Sequence, residues 1–215
     1  MHWLKLSALA CSLVWAAPLA HAAEYPVRPI KLIVPYAAGG PTDVLGRMVG
    51  DYLSRDLKQP VVVENKAGAQ GAIGAEAAAR SEPDGYTLFF TAASIFVLNP
   101  LLYKKLPYDP TRDFRLLALV TDLPDVPTMA ESGYPEYGVS VWYGVSAPAK
   151  LPDDIAQKLT ASLNKALNDE AFRASLDKVG FPPLRPKSQA EIERFVVTDR
   201  ARWAGVIKAL NISLD

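Results

Sequence analysis

The stretch "PYAAGGPTDVLGR", residues 35–47, directly follows "IKLIV", residues 30–34. A short apolar run rich in β-branched residues is typical of a buried strand. After the two glycines, apolar residues recur at spacings of one, three and four, which predicts an amphipathic helix over 42–57. The glycines therefore join a strand to the N-terminus of a helix. Free backbone N–H groups at such a point can bind an anion.

The same arrangement occurs a second time along the chain. "PVVVEN" (60–65) reads as a strand, and "KAGAQGAIGAEAAARSE" (66–82) passes from a glycine-rich loop into an alanine-rich helix over 71–81. "YTLFFTA" (86–92) is a third apolar strand. Strands that alternate with helices predict an α/β fold in which adjacent parallel strands are joined by helical crossovers.

The rest of the chain supplies further strands and then helices. Strands are predicted over 115–121 and 139–148, and helices over 153–168 and 170–178. A last helix begins after Ser188, which forms a capping box with Glu191. We therefore expect a mainly parallel sheet flanked by helices, with the C-terminal helices packed on it.

The first 22 residues differ from the remainder. A lysine precedes an apolar run, and "AHA" (20–22) fits the small-residue cleavage rule, so residues 1–22 are predicted to be a signal peptide. Processing at Cys11 as a lipoprotein is the alternative. Cleavage before Ala23 predicts a periplasmic protein that is not embedded in the membrane.

Cleavage would also remove most of the chemistry that enzymes use. Both histidines, His2 and His21, and the single cysteine, Cys11, lie in the predicted signal peptide. Triads with histidine, cysteine nucleophiles, zinc sites with histidine or cysteine ligands, and disulfides are then excluded. With 23 basic and 23 acidic side chains, the chain also has no net charge to attract nucleic acid. The sequence predicts no enzyme, no cofactor and no metal.

Three interpretations of the glycine turns remain open from the residues alone. A dinucleotide site would need G-x-G-x-x-G after the first strand, where this chain has only Gly39 and Gly40. The glycines could instead serve only tight turns and close helix packing, with the positive φ that such turns use. In the third interpretation the turns form a small-anion site, because both follow strands at the sheet edge where α/β proteins bind ligands.

Longer motifs carry a family resemblance. They are "YPVRPIKLIVPYAAGGPTDVLGR", "PVVVENKAGAQGAIGAEAAARSEPDGYTLFF", "NPLLYKKLPYDPTRDF" and "LPDVPTMAESGYPEYGVSVWYGVSAPAKLP", in that order. Together they resemble the Bug (TctC-like) substrate-binding proteins of tripartite tricarboxylate transporters. The resemblance implies a periplasmic receptor that binds small carboxylates and delivers them to membrane permease subunits. It implies ligand contacts at these residues: Tyr36, Ala37, Gly39, Gly40, Thr42, Asp43, Asn65, Gly68, Ala69, Gln70, Gly71, Thr91 and Ser94.

The chain departs from the family pattern at one place. The resemblance implies two lobes, with the chain leaving lobe one after "YDPTRDF" and returning before "LPDVPT". Here only residues 115–122 separate these motifs, so on the order of a hundred residues, one small domain, are missing. Lobe one then consists of 23–114 and 123–215, joined at the 115–122 junction. We expect carboxylate binding impaired by this loss. The alternative is a non-binding remnant or a protein-interaction module that uses apolar surface exposed near the junction.

Overall fold

A computed structural model describes residues 24–124 and 140–214. The predicted signal peptide, 1–22, and its cleavage point lie outside the described residues. Val139, the predicted first residue of the second late strand, lies outside them as well.

One five-stranded sheet forms the centre of the described part, in the order β2-β1-β3-β5-β4. The strands are β1 (Ile30–Val34), β2 (Val61–Asn65), β3 (Thr87–Ala92), β4 (Phe114–Pro124) and β5 (Ser140–Pro148). Strand β1 lies between β2 and β3 and is parallel to both. The predicted α/β fold with parallel strands and helical crossovers is therefore confirmed.

Strand β5 runs against the other four. It pairs antiparallel with β3 on one side and with β4 on the other. The first three strands are joined by helices, which permit a parallel return, whereas β4 and β5 are consecutive strands that pair side by side. The sheet is thus mainly parallel in strand direction, with one reversed strand.

The predicted junction, 115–122, lies inside the continuous strand β4. Its register with β5 shifts between Leu116 and Ala118 and again between Leu119 and Thr121, so β4 carries two bulges. Residues 116–120 are all buried, at 1 to 8% exposure. The expectation that apolar residues would be exposed around the junction is wrong for residues 116–120, because this part of the strand packs into the sheet and both its faces are covered.

Helices cover both faces of the sheet. They are α1 (Pro41–Leu57), α2 (Ala72–Ala79), α3 (Asn99–Leu102), α4 (Asp153–Asn168), α5 (Glu170–Lys178) and α6 (Gln189–Leu210). Side chains alternate along β1, so that Leu32 belongs to the core cluster that includes residues of α1 and α4, while Ile33 belongs to the cluster that includes residues of α2 and α6. Ser188 and Glu191 form the predicted capping box at the start of α6. Among the described residues, no helix combines the length and apolar character needed to cross a membrane.

Candidate functional site

Two turns lie side by side at the carboxyl edge of the parallel strands. Turn A (residues 35–40) joins β1 to α1, and turn B (residues 66–71) joins β2 to α2. The Lys66 N–H donates to the Val34 carbonyl at 2.8 Å, which fixes the start of turn B on the end of β1. Gly74 lets α2 approach turn A, since a Cβ there would lie 2.9 Å from the Pro35 Cα. The two turns that the sequence predicts as a site are therefore neighbours.

Turn B has an unusual backbone. Four consecutive residues have positive φ: Gly68 (130°), Ala69 (46°), Gln70 (51°) and Gly71 (86°). The left-handed conformation costs a non-glycine residue about 1–2 kcal/mol, so Ala69 and Gln70 store strain. Such strain is concentrated at functional sites, and turns that bring successive N–H groups together form anion-binding concavities.

The backbone conformation of turn A differs from the one expected. Gly39 has φ of 85°, but Gly40 has φ of −79° and acts as the extended N-cap of α1. The expectation that both turns depend on positive φ is wrong for Gly40. A Cβ at Gly40 would meet only the Ala37 carbonyl oxygen, at 3.6 Å, so glycine keeps this position open toward solvent without being required by the backbone.

A buried carboxylate ties the two turns together. Asp43 is 3% exposed; its Oδ2 accepts from the Gly39 N–H (2.9 Å) and from Arg47 Nε (3.0 Å), and its Oδ1 accepts from Asn65 Nδ2 (2.9 Å). Asn65 Nδ2 also donates to the Tyr36 carbonyl at 3.0 Å. The hydrogen bond from Arg47, helped by those from Gly39 and Asn65, lowers the pKa of Asp43 to about 2. Both carboxylate oxygens are thus used within the protein.

Hydroxyl groups lie beneath the two turns. Tyr36 Oη and Ser94 Oγ are 2.9 Å apart, which connects turn A to the end of β3. A Cβ at Gly71 would lie 3.6 Å from the Tyr36 hydroxyl, so this ring also lies against turn B. Burial raises the pKa of Tyr143, and a hydrogen bond with Thr42 opposes that rise. These hydroxyls are therefore available as neutral donors and acceptors beside the turns.

The predicted site residues fall into three groups by exposure. Exposed on the turns are Ala37, Gly39, Gly68, Ala69 and Gln70. Half-buried beside them are Tyr36, Gly40, Asn65 and Ser94. Buried are Thr42, Asp43, Gly71 and Thr91. Thr91 lies in the sheet at 0% exposure, and its hydroxyl donates to the Ala92 carbonyl at 3.1 Å.

The segment after β3 contributes two residues that the sequence analysis did not select. A π-helical turn, Ser94–Leu98, leads into α3. Asn99 Nδ2 donates to the Gln70 carbonyl of turn B and to the Tyr108 hydroxyl, each at 3.2 Å. Tyr108 in turn donates to the Ile95 carbonyl at 2.9 Å. The Asn-Pro dipeptide within "NPLLYKKLPYDPTRDF" was the available signal, but nothing in its spacing pointed to turn B.

A groove apart from the two turns is a second place where a ligand could bind. Its volume is about 600 Å³, and its lining includes Phe96, Phe114, Val196 and Arg200. Arg115 in this groove pairs with Asp153 at 2.6 Å, and Arg200 donates to the Phe96 carbonyl at 2.7 Å. Because these cations are engaged within the protein, the groove is a weaker candidate for an anion than the turns.

Comparison with known families agrees with this geometry. Residues 45–122 and 117–212 match the model of the TctC family, described as tripartite tricarboxylate transporter family receptors. The chain belongs to this family. The two matched ranges cover most of this TctC-family chain and overlap at 117–122, in the middle of β4. The family consists of receptors.

Two curated relatives differ in how much of them the chain matches. A UPF0065 protein of Bordetella bronchiseptica is 42% identical over 112 residues, which is 52% of this chain and only 33% of that relative. Protein BugT of Bordetella pertussis is 27% identical over 308 aligned residues, which include 93% of this chain and 94% of BugT.

Solved structures share the fold. A structure described as a periplasmic transporter has 28% identity and a TM-score of 0.80, covering 89% of this chain and 100% of that one. Rhodopseudomonas palustris MatC with bound malate has 22% identity and a TM-score of 0.78, over 85% of this chain and 100% of MatC. R. palustris Rpa4515 with adipate has 21% identity and a TM-score of 0.82, over 88% and 99%.

Proposed function

We propose that this chain is a periplasmic solute-binding protein for small carboxylates that serves a tripartite tricarboxylate transporter. One observation carries the proposal: turns A and B lie together at the carboxyl edge of the sheet, and each leads into the N-terminus of a helix. The helix dipoles and free N–H groups there favour a negative charge, each dipole by roughly 0.3–1 kcal/mol when exposed. The proposal assigns no catalytic step.

The proposed contacts are the exposed backbone of both turns with the hydroxyls beneath them. Ala37 of turn A, and Gly68 to Gln70 of turn B, offer main-chain groups to solvent, whereas the Gly39 N–H is already donated to Asp43. Tyr36 and Ser94 share a single hydrogen bond, and two hydroxyls carry two protons, so the pair can donate one more hydrogen bond to a ligand oxygen. Asp43 acts as the internal tie between the turns and not as a ligand contact.

The proposal includes the loss of a second lobe at the 115–122 junction. The alignment with BugT occupies 308 positions, more than the 215 residues of this chain can fill. The two family ranges overlap within β4, as expected if one strand replaces both the outgoing and the returning segment. The continuous, buried strand β4 supports this part of the proposal, because it packs into the core of the described residues.

A site with one wall should bind weakly. Charges near water interact several-fold less than charges in a closed cleft. We therefore expect a dissociation constant no tighter than about millimolar, roughly −4 kcal/mol.

Isothermal titration of the mature protein tests the proposal. The panel contains malate, adipate and other di- and tricarboxylates, because the structural relatives MatC and Rpa4515 hold malate and adipate. Heat with at least one carboxylate, and none with an uncharged diol of the same length, is expected. If no carboxylate in the panel produces heat, the proposed binding function fails and only the family relationship stands. Mass spectrometry of the secreted protein should find an N-terminus near Ala23 without lipid, and co-purification with permease subunits tests the transporter assignment.

A protein-interaction module is the second candidate. Val44, Ile73 and Val141 are 38 to 50% exposed, and all three lie at the sheet edge that carries the turns. Three exposed apolar side chains at the edge where a second lobe would sit favour a protein partner. Light scattering discriminates between the two candidates. A protein that stays monomeric at all concentrations and binds carboxylates would argue against an interaction module.

A further inference from the structure

The peptide between Gln70 and Gly71 is held at both ends. Its carbonyl oxygen accepts from Asn99 Nδ2 at 3.2 Å, and its N–H donates to the Gly68 carbonyl at 2.9 Å. The carbonyl and the N–H of a trans peptide point in opposite directions, so fixing one fixes the other. Asn99 is 4% exposed, which means that the Gln70 carbonyl points into the protein and away from the surface of turn B.

The orientation of this carbonyl matters for an anion. A carbonyl oxygen turned outward would place partial negative charge where the anion binds, and it would also need a different backbone at Gln70. Gln70 and Gly71 have φ of 51° and 86°, a region in which rotation of the peptide is easy for glycine but strained for glutamine. Besides the Gly68 carbonyl within the turn, Asn99 outside the turn therefore holds the peptide in this orientation.

The support for Asn99 extends into the core. Tyr108, 5% exposed, accepts the second N–H of Asn99 and donates to the Ile95 carbonyl. Arg200 of α6 donates twice to the Phe96 carbonyl, at 2.7 and 3.2 Å. The π-helical turn is thus anchored from two sides, and the Asn99 amide is presented in a fixed place to turn B.

We propose that Asn99, oriented by Tyr108, is a positioning residue for the anion site: it holds the Gln70 carbonyl inward so that turn B presents N–H groups to the ligand. The inference rests on the proposed function, because it names what prepares that site. Asn99 itself does not touch the ligand. Its role is to keep the left-handed run of turn B in place before the ligand arrives.

The test compares three variants at pH 8. Asn99→Asp keeps the side-chain volume but replaces the donor by an ionised acceptor facing the Gln70 carbonyl. Tyr108→Phe keeps Asn99 and removes only its orienting hydroxyl, and it serves if the first variant does not fold. The matched control is Thr121→Val, since Thr121 is fully buried and its hydroxyl donates to the carbonyl of Pro182, a residue outside both turns, at 2.6 Å.

The first measurement is amide hydrogen exchange at Gly71, by NMR, without ligand. The quantity compared is the exchange rate of the Gly71 amide divided by that of the Gly39 amide in turn A. This ratio should rise at least tenfold in Asn99→Asp and about threefold in Tyr108→Phe, and it should be unchanged in Thr121→Val. Equal protection at Gly71 in wild type and in every variant that folds would overturn the inference. This measurement stands even if no carboxylate binds, so it separates failure of the inference from failure of the proposed function.

The second measurement is titration with malate and adipate. Where wild type binds, Asn99→Asp should raise the dissociation constant at least tenfold, and Tyr108→Phe should raise it by a smaller factor. Thr121→Val should lose stability to urea but keep wild-type affinity. Wild-type affinity in Asn99→Asp, or an equal loss in Thr121→Val, would show that Asn99 contributes only to general stability.

Discussion

Replacing Asp43 by asparagine tests whether one buried carboxylate holds turns A and B together. Asp43 accepts three hydrogen bonds, from Gly39, Arg47 and Asn65. Asparagine has nearly the same shape, but its amide nitrogen would face at least one of these donors. The variant therefore removes the charge and leaves donor against donor in a site that is 3% exposed.

The size of the effect follows from the pKa of Asp43. It falls from 3.8 to about 2, and each unit corresponds to about 1.36 kcal/mol, so the ionised carboxylate stabilises the fold by about 2 kcal/mol at pH 7. Because the folded pKa is depressed, this stability is fully present above the unfolded pKa and is lost as pH falls through about 2. At pH 3 about half of this stabilisation should remain.

Urea denaturation of wild type and Asp43→Asn at pH 7 and pH 3 measures both values. The midpoint of the variant should be about 1 M lower at pH 7, and the gap should be about half as large at pH 3. Asp154→Asn is the control, since Asp154 is exposed in the first turn of α4 and its loss should cost less than about 0.5 kcal/mol. Equal midpoints at pH 7, or a gap that does not shrink at pH 3, would refute the reasoning.

Two further substitutions separate binding from folding, and a third tests a buried acid. Gly40→Val should weaken carboxylate binding at least tenfold in titration while costing less than about 1 kcal/mol in urea, because the added Cβ has room and valine suits extended backbone. Gly71→Ala should instead destabilise the fold by about 1–3 kcal/mol, since its Cβ would lie 2.5 Å from Ile95 Cδ1 at a φ of 86°. Asp199 is 3% exposed, accepts from Trp142 Nε1 at 3.0 Å, and has a pKa raised by burial, so wild type loses stability as pH rises through that pKa. Asp199→Asn should therefore be more stable than wild type at pH 8 and close to it in stability at pH 3; lower stability at pH 8 would contradict this.

The period of the apolar residues was enough to predict most helices and strands. In α1 and α4 the stripe of apolar residues predicts both that the segment is helical and which face of the helix is buried. The bounds of α4 and α5 agree with the prediction. The direction of β5 could not be predicted in this way, because "VSVWYGVSAP" would be equally apolar in either direction. Its partners on both sides, β3 and β4, decide it.

The turns could be located from the sequence, but their internal geometry could not. Two adjacent glycines look equivalent in "AAGGP", yet Gly39 is left-handed and Gly40 is extended. Ala69 and Gln70 adopt positive φ although neither residue favours it, so their residue types did not predict it. The role of Asn99 depends on a contact across 29 residues of sequence, which no local pattern encodes.

The continuous strand β4 also has a consequence for folding kinetics. Strand β4 ends at Pro124 and β5 begins at Ser140, so the pair forms across a short stretch of chain. Strand β3 ends at Ala92, and about a hundred residues inserted at the 115–122 junction would lengthen the chain between β3 and its partner β5, so that closing this loop would cost roughly 1 kcal/mol more in chain entropy. The continuous strand thus keeps the path between β3 and β5 short, and chains dominated by local contacts fold faster. Strand β4, which is local to β5, is therefore suited to start the assembly of the sheet.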